Sequence, residues 1–212
     1  MYSRIHTRVF AFALAVLVAA GTFIVSQPAR AEITPPFELT FPQETSKTEF
    51  GSSYGDRRSG GRRHKGNDLL APRMTEVYAV ADGVVIHIGT SRLSGRNIRI
   101  EHIDGWTSHY VHLNNDNPGT DDGEAAWTLT VAPGIWVGGE VKQGQLIGWV
   151  GDSGNAEGTT PHTHFELRKD DQAIDPHDVL QEAFERDRDH EEWIVAMVAE
   201  AAVTRQHESG IE

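Results

Sequence analysis

The sequence predicts a mainly β, antiparallel domain followed by a C-terminal helical extension. Across residues 50–176, short apolar runs such as EVYAVADGVVIHIG and QLIGWVG are separated by Gly, Asn and Asp turns, a pattern typical of antiparallel strands. Within residues 177–203 the apolar residues recur at helical spacing, without Gly or Pro. The length of 212 residues, of which 38% are hydrophobic and 24% charged, allows one globular domain with a real core.

The first 31 residues have the features of a signal peptide. Arg4 and Arg8 precede an apolar run over residues 9–25, and Ala29-Arg30-Ala31 has the small-x-small form of a cleavage site. We therefore expect export, to a periplasm or to the extracellular cell wall. An uncleaved membrane anchor is the alternative, because the run is near the lower end of membrane-spanning length.

The remaining chain is strongly acidic. Without the three arginines of residues 1–31 it has 16 basic and 31 acidic residues, a net charge of −15 with histidine neutral. This charge would repel nucleic acids and anionic membranes, so we expect neither as a partner, and no stable membrane insertion after cleavage. The absence of cysteine excludes a disulfide and a lipid-modified cysteine.

Residues 32–49 are predicted to form an extended lead-in, since they contain Pro35, Pro36 and Pro42. The β domain then covers residues 50–176. The helical extension is expected to cover residues 177–212 as one or two helices.

The stretch PHTHFEL places two histidines one residue apart in a predicted strand. Side chains alternate between the faces of a strand, so His162 and His164 point one way with Glu166 and Arg168, while Thr163, Phe165 and Leu167 point to the core. Such a pair alone is weak evidence for a metal, because two surface histidines would look the same. His64 and Asp68, four residues apart in RRHKGNDLL, add two side chains suited to zinc.

A third histidine motif is SHYVHLN. Strand alternation predicts that Tyr110 and His112 share one face and that His109 lies on the other. His112 is therefore a candidate for the same cleft as the histidine pair. Tyr110 is a candidate for lining that cleft or for packing in the core, and His109 is assigned to packing or surface.

These motifs, in this order, resemble those of the lysostaphin-type, or LytM-like, zinc metallo-endopeptidases that cut peptidoglycan. The family pattern H-x-x-x-D, Y-x-H-L and P-H-x-H-F-E is matched by His64 to Asp68, Tyr110 to Leu113 and Pro161 to Glu166. The intervening segments APRMTEVYAVADGVV and VKQGQLIGWVGDSGN also fit. The resemblance covers about residues 50–175.

The resemblance implies a barrel-like sandwich of antiparallel strands with a groove, one Zn²⁺ per chain, and hydrolysis of peptidoglycan peptides by a zinc-bound water. It also implies that His64, Asp68 and His164 are the metal ligands and that His112 and His162 are catalytic. Three protein ligands leave a fourth position open, which is the catalytic pattern of zinc. Either histidine can serve as base or as oxyanion donor, and the residues do not decide between them.

The segment 114–140 is longer than the family pattern and rich in Gly, Asp and Trp. A loop of this length is expected to be a lid, a substrate wall or a flexible insert. Trp127 and Trp136 are candidates for a substrate cleft, or for covering a sheet edge.

Two further roles are open at this point. A non-catalytic member of the same family could activate a separate cell-wall amidase, although all five metal and catalytic positions are filled here. The sequence shows no separate wall-binding module, which indicates either a high local concentration of substrate or a partner protein that delivers the chain, and the C-terminal helix is the candidate for binding that partner.

Overall fold

The computed structural model describes residues 33–209 and, among these, the side chains of all but residues 191 and 200–209. The predicted signal peptide lies outside the described residues. Residues 33–209 form nine strands and one long helix: β1 (Asn67–Leu70), β2 (Glu76–Tyr78), β3 (Gly83–Ser91), β4 (Gly95–Glu101), β5 (Trp106–Leu113), β6 (Glu140–Val141), β7 (Leu146–Trp149), β8 (His162–Lys169), β9 (Gln172–Ile174) and α1 (His177–Ser209).

The strands form two antiparallel sheets, as the sequence predicts. The larger sheet has seven strands in the order β1-β8-β5-β4-β3-β6, with β9 also paired to β8. The smaller sheet pairs β2 with β7. The described strands form no closed barrel, so the barrel-like sandwich is present as two open sheets.

The core lies on one face of the larger sheet. Its largest fully buried side chains include Trp106, Tyr110, Phe165, Ile98 and Ile100 from the three central strands. Alternate residues of β8 are buried, namely Thr163, Phe165 and Leu167. The residues between them, His162, His164 and Glu166, therefore face outward, as the alternation predicts.

The segment 33–49 packs along the core as an extended strap. Phe41 is buried, and backbone hydrogen bonds join Thr40 N to Val80 O and Tyr78 N to Pro42 O. Glu49 and Leu70 exchange two further backbone bonds beside β1. The strap thus covers the edge of both sheets and keeps away from the outer face of β8.

The helix is a single continuous element whose first turns belong to the core. Leu180 and Ala183 are buried, and the ring of Phe184 lies 5.0 Å from that of Phe41. Its later turns expose large apolar side chains: Trp193, Ile194, Val195, Met197 and Val198. Within residues 33–209, no helix has the length and apolar character needed to span a membrane.

Truncating Leu180 is expected to destabilise the whole domain. Leu180→Ala removes a fully buried side chain that docks the helix, which should lower the free energy of unfolding by about 2–5 kcal/mol. Val198→Ala, on the same helix but 64% exposed, is the matched control and should change it by less than about 0.5 kcal/mol. Urea denaturation measures both, and equal effects would show that the first turns do not contribute to the core.

The segment 114–139 is packed and not a free lid. Arg96 donates to Thr130 Oγ1 and to the carbonyl of Ala125, and its guanidinium lies 4.9 Å from the ring centre of Trp127. Val85 of β3 exchanges backbone bonds with Gly138 and Gly139, next to Trp136. These contacts hold the segment against β3 and β4 of the larger sheet.

Candidate metal centre and active site

Asp68 and His164 are neighbours across two paired strands. In the register of β1 and β8, Asp68 lies directly opposite His164, and both side chains point to the outer face of the larger sheet. Directly opposed residues of antiparallel strands have their Cβ atoms about 5 Å apart. Accordingly, Asp68 Oδ1 lies 3.0 Å from His164 Nδ1.

His64 reaches the same point from the loop before β1. Its Nε2 lies 2.9 Å from Asp68 Oδ1 and 2.7 Å from His164 Nδ1. Between His64 and Asp68 the backbone passes very close to β8 at Gly66, where a Cβ atom would lie 1.9 Å from the carbonyl oxygen of Phe165. Glycine at this position is what allows the three side chains to converge.

The three converging atoms form a candidate cation site. His64 Nδ1 donates to the carbonyl of Ser53, so its Nε2 offers a lone pair. His164 Nε2 faces Glu166 Oε1 at 3.1 Å, which leaves Nδ1 to the centre. Lone pairs this close repel one another unless a proton or a metal ion lies among them, and a metal ion satisfies all three atoms. Together with Asp68, these histidines form a candidate metal site.

The charges around the site keep its carboxylates ionised. Burial alone would raise the pKa of Asp68, but hydrogen bonds and charge from His164 and His64 lower it well below its usual range. Similarly, His164 and Arg168 lower the pKa of Glu166 to about 2 against the effect of burial. The second oxygen of Asp68 accepts a hydrogen bond of 2.6 Å from Arg58, so only Oδ1 is left for a metal ion.

A β-bulge in β5 orients the side chain of His112 towards the candidate metal site. Between the pairs Ile98–Tyr110 and Arg96–Leu113, β5 has one residue more than β4. His112 adopts a positive φ of 64° there, which is rare outside glycine and common at functional sites. As a result Val111 and His112 both border the outer face.

The bulge also corrects two predictions from strand alternation. Tyr110 is fully buried, and its hydroxyl accepts a hydrogen bond from Val80 N, so it does not line a cleft. The sequence predicts that His109 lies in the packing or on the surface, away from His112. In the structure it lies on the outer face next to Glu166 and lines the same cleft as His112. An unbulged strand would place His109 and His112 on opposite faces.

His109 is expected to make the protein less stable in mild acid. Burial, opposed by the charge of Glu166, lowers the pKa of His109 to about 4, whereas an unfolded histidine titrates near 6.5. Between pH 7 and pH 5 the unfolded state therefore takes up the proton and the folded state does not, which costs about 1–2 kcal/mol of stability. Urea denaturation at the two pH values should show a smaller loss for His109→Gln than for wild type; an unchanged loss would contradict this assignment.

His112 and His162 lie beside the candidate metal site but are not among its three converging side chains. Their rings are 5.1 Å apart, and the ring of His112 is 6.1 Å from that of His164. Each donates Nδ1–H to a carbonyl, His112 to Ser153 and His162 to Thr160, both at 2.7 Å. Burial, aided by the charges of the neighbouring histidines, lowers the pKa of His112 to about 4, so its Nε2 carries a free lone pair at neutral pH.

The site opens into a cleft of about 830 Å³, which we call the active-site cleft. Its walls come from the loop 58–65, from the outer face of β4, β5 and β8, and from residues 155–160. Trp127 and Trp136 are exposed but do not line it, which corrects their place as candidates for the substrate cleft.

Residues 62–124 and 127–176, just over half of the chain, match Peptidase family M23. The chain belongs to this family. The resemblance seen in its motifs is thereby confirmed, and the matched segments contain the candidate metal ligands as well as His112 and His162.

Several relatives are endopeptidases by name, and one of them, from Vibrio cholerae, is named a peptidoglycan DD-endopeptidase, at 31% identity over 50% of this chain and 20% of that protein. The chain is 34% identical to the L-Ala--D-Glu endopeptidase of Bacillus subtilis, over 65% of this chain and 40% of that protein. It is 33% identical to the DD-carboxypeptidase/endopeptidase Mpg of Neisseria meningitidis, over 54% and 22%. The catalytic domain of lysostaphin from Staphylococcus simulans aligns with a TM-score of 0.50 and 29% identity, over 65% of this chain and 95% of that domain. The chain spans less than half the length of each of these curated relatives.

The sequence of this M23 domain does not identify a basic active-site cleft, although it places Arg168 on the outer face of β8. Arg58, Arg99 and Arg168 all line it, and two of them pair with Asp68 and Glu166. The position of Arg168 on the His162 face was visible from alternation in β8. For Arg99 no such signal exists, because only the pairing of β4 with β5 brings it there.

Proposed function

We propose that this chain is an exported, zinc-dependent endopeptidase that hydrolyses an amide bond in the peptide part of peptidoglycan. The observation that carries the proposal is the convergence of His64 Nε2, Asp68 Oδ1 and His164 Nδ1 within 3.0 Å of one another, at the base of an open cleft. Membership of the M23 family and the relative named as a peptidoglycan DD-endopeptidase support peptidoglycan as the substrate. The signal-peptide features of residues 1–31 support export.

The donor set fits zinc, with one ion per chain. Two imidazole nitrogens and one carboxylate oxygen form the three-ligand pattern of catalytic zinc sites, and Ser53 and Glu166 orient the two imidazoles from behind. Zinc, when bound, supplies Lewis acidity that makes water nucleophilic near neutral pH.

The two remaining histidines are assigned the roles of general base and oxyanion donor. We assign His112 as the general base, since its Nδ1–H donates to the carbonyl of Ser153, which fixes the ring and leaves Nε2 as the proton acceptor. His162, whose ring faces His112, donates from Nε2 to the developing oxyanion when it is protonated. The rest of the cleft positions the peptide.

Digestion of purified peptidoglycan tests the proposal. Zinc-loaded protein should release new peptide amino and carboxyl termini that mass spectrometry of the products identifies, and a chelator should stop their release. Intact cross-links and stem peptides after incubation with zinc-loaded protein would contradict the proposal. They would support a non-catalytic amidase activator instead, which should then stimulate a cell-wall amidase in the same assay.

A protein partner remains a proposal for the C-terminal helix. Its support is the exposed apolar side chains of residues 193–198, which are between 43% and 68% exposed.

A further inference from the structure

The active-site cleft is basic although the chain is acidic. Six cationic side chains line it: Arg58, Arg62, Arg63, Lys65, Arg99 and Arg168. Only three carboxylates do so: Asp68, Glu166 and Asp171. The cleft thus has an excess of three positive charges, with histidine neutral, before any metal ion is added, in a chain whose net charge is −12. A local field of opposite sign to that of the whole protein attracts anionic ligands to this cleft.

Most of these cations have no acidic partner. Arg58 is paired with Asp68 and Arg168 with Glu166. By contrast, Arg62 and Arg63 donate within their own loop, to Ser59 and to the carbonyl of Gly55. Among the described side chains, no carboxylate lies within ion-pair distance of Arg62, Arg63, Lys65 or Arg99. The positive excess is therefore available to a ligand.

Arg99 is the cation on the floor of the cleft. It lies in the middle of β4, opposite His109, which in turn lies opposite Glu166 in β8. It is half-buried, its Nε is buried without a hydrogen-bond partner, and no residue within 33–209 whose side chain is described bonds to its guanidinium. Guanidinium groups bind carboxylates with strong, often bidentate hydrogen bonds. Among the described side chains, no carboxylate makes such a bond with Arg99.

The register places Arg99 about three extended residues away from His164, one of the three converging side chains. Glu166 is two residues from His164, which is about 7 Å along β8, and β4 is two strands away from β8, which is about 10 Å across the sheet. The Cα atoms of His164 and Arg99 are therefore about 12 Å apart. The long side chain of Arg99 shortens this distance on the outer face of the sheet. An extended peptide advances by about 3.5 Å per residue, so a separation of about 12 Å, shortened by the arginine side chain, corresponds to about three residues of substrate.

We propose that Arg99 binds a free carboxylate of the substrate within about three residues of the bond that is cut, in a cleft that Arg62, Arg63 and Lys65 make electropositive. The proposal rests on the proposed function and narrows it: the substrate is an acidic stem peptide, and an uncharged glycine bridge is disfavoured. Arg99 is thus a specificity residue that contacts the substrate without taking part in proton transfer.

The test uses two synthetic cross-linked stem peptides that differ only in their carboxyl groups, free in one and converted to primary amides in the other. Wild-type protein should hydrolyse the acid form with a kcat/KM about tenfold higher or more, which is the effect of one charge-assisted hydrogen bond. Arg99→Gln should lower kcat/KM for the acid form about tenfold and leave the amide form unchanged. Arg92→Gln removes the same charge from the same β3–β4 hairpin but outside the cleft, and should change neither.

Two results would overturn the inference while leaving the proposed function intact: equal hydrolysis of both peptides by wild type, or equal loss on both peptides in Arg99→Gln. A second measurement does not need turnover or a variant. Calorimetric titration of the metal-free wild-type protein should give tighter binding of the acid form, weakened by added salt. If neither peptide is hydrolysed, the proposed function fails, and the titration alone then decides on the carboxylate site: equal affinities overturn it.

Discussion

Replacing His112 by glutamine is expected to lower kcat by about 10²–10⁴-fold while zinc stays bound. The variant removes a proton acceptor that the structure holds neutral and aims into the cleft, and general bases contribute rate factors of this size. Since His112 is not one of the three converging ligands, the metal content should not change. Steady-state kinetics on a peptidoglycan peptide, together with elemental analysis, measures both quantities.

The control for this variant is His190→Gln, which makes the same chemical change on the exposed part of the C-terminal helix. It should keep full activity. A His112→Gln protein with wild-type kcat would show that this residue is not the base, and the same assay on His162→Gln would then identify the acceptor.

Replacing Asp68 by alanine is expected to abolish both zinc binding and hydrolysis. Asp68 Oδ1 lies within 3.0 Å of both ligand nitrogens, so its loss removes the anionic member of the site and leaves Arg58 beside two histidines without a counter-charge. A competition titration with a chromophoric chelator measures the affinity for zinc, and peptide hydrolysis measures the activity.

Asp56→Asn is the matched control for Asp68→Ala. Asp56 is an exposed carboxylate of the same loop, and it contacts His64 only through its backbone carbonyl. The control should bind zinc and hydrolyse peptide as wild type does. If Asp68→Ala retained wild-type zinc affinity, the ion would have to bind elsewhere.

The architecture could be predicted from the sequence because its periodicities are local. Alternation in β8 places His162, His164 and Glu166 outward and Phe165 inward, and the structure agrees. The helical spacing after residue 176 likewise predicts α1. The spacing does not predict that the helix is continuous or that its first turns are buried, because this burial depends on where Phe41 and Phe50 of distant segments lie.

The sequence motifs predict the residues of the candidate site that they contain. They do not predict the positions of side chains where the backbone departs from regular strand geometry. The bulge in β5 reverses the expected faces of Tyr110 and His109, and it arises from pairing with β4, which no local pattern encodes. Trp127 and Trp136 looked like cleft residues because of their type, yet the loop that bears them is held by Arg96 and Val85 away from the site. The position of Arg99 in the cleft likewise depends on the register between β4 and β5, which no local sequence pattern predicts.

The most direct test of the account is the zinc content of residues 32–212, purified without added metal or chelator, for wild type and His164→Ala side by side. Elemental analysis should find about one zinc per chain in wild type and none in the variant, because His164 Nδ1 is one of the three converging ligand atoms. A wild-type protein that takes up no zinc even after reconstitution would contradict the account.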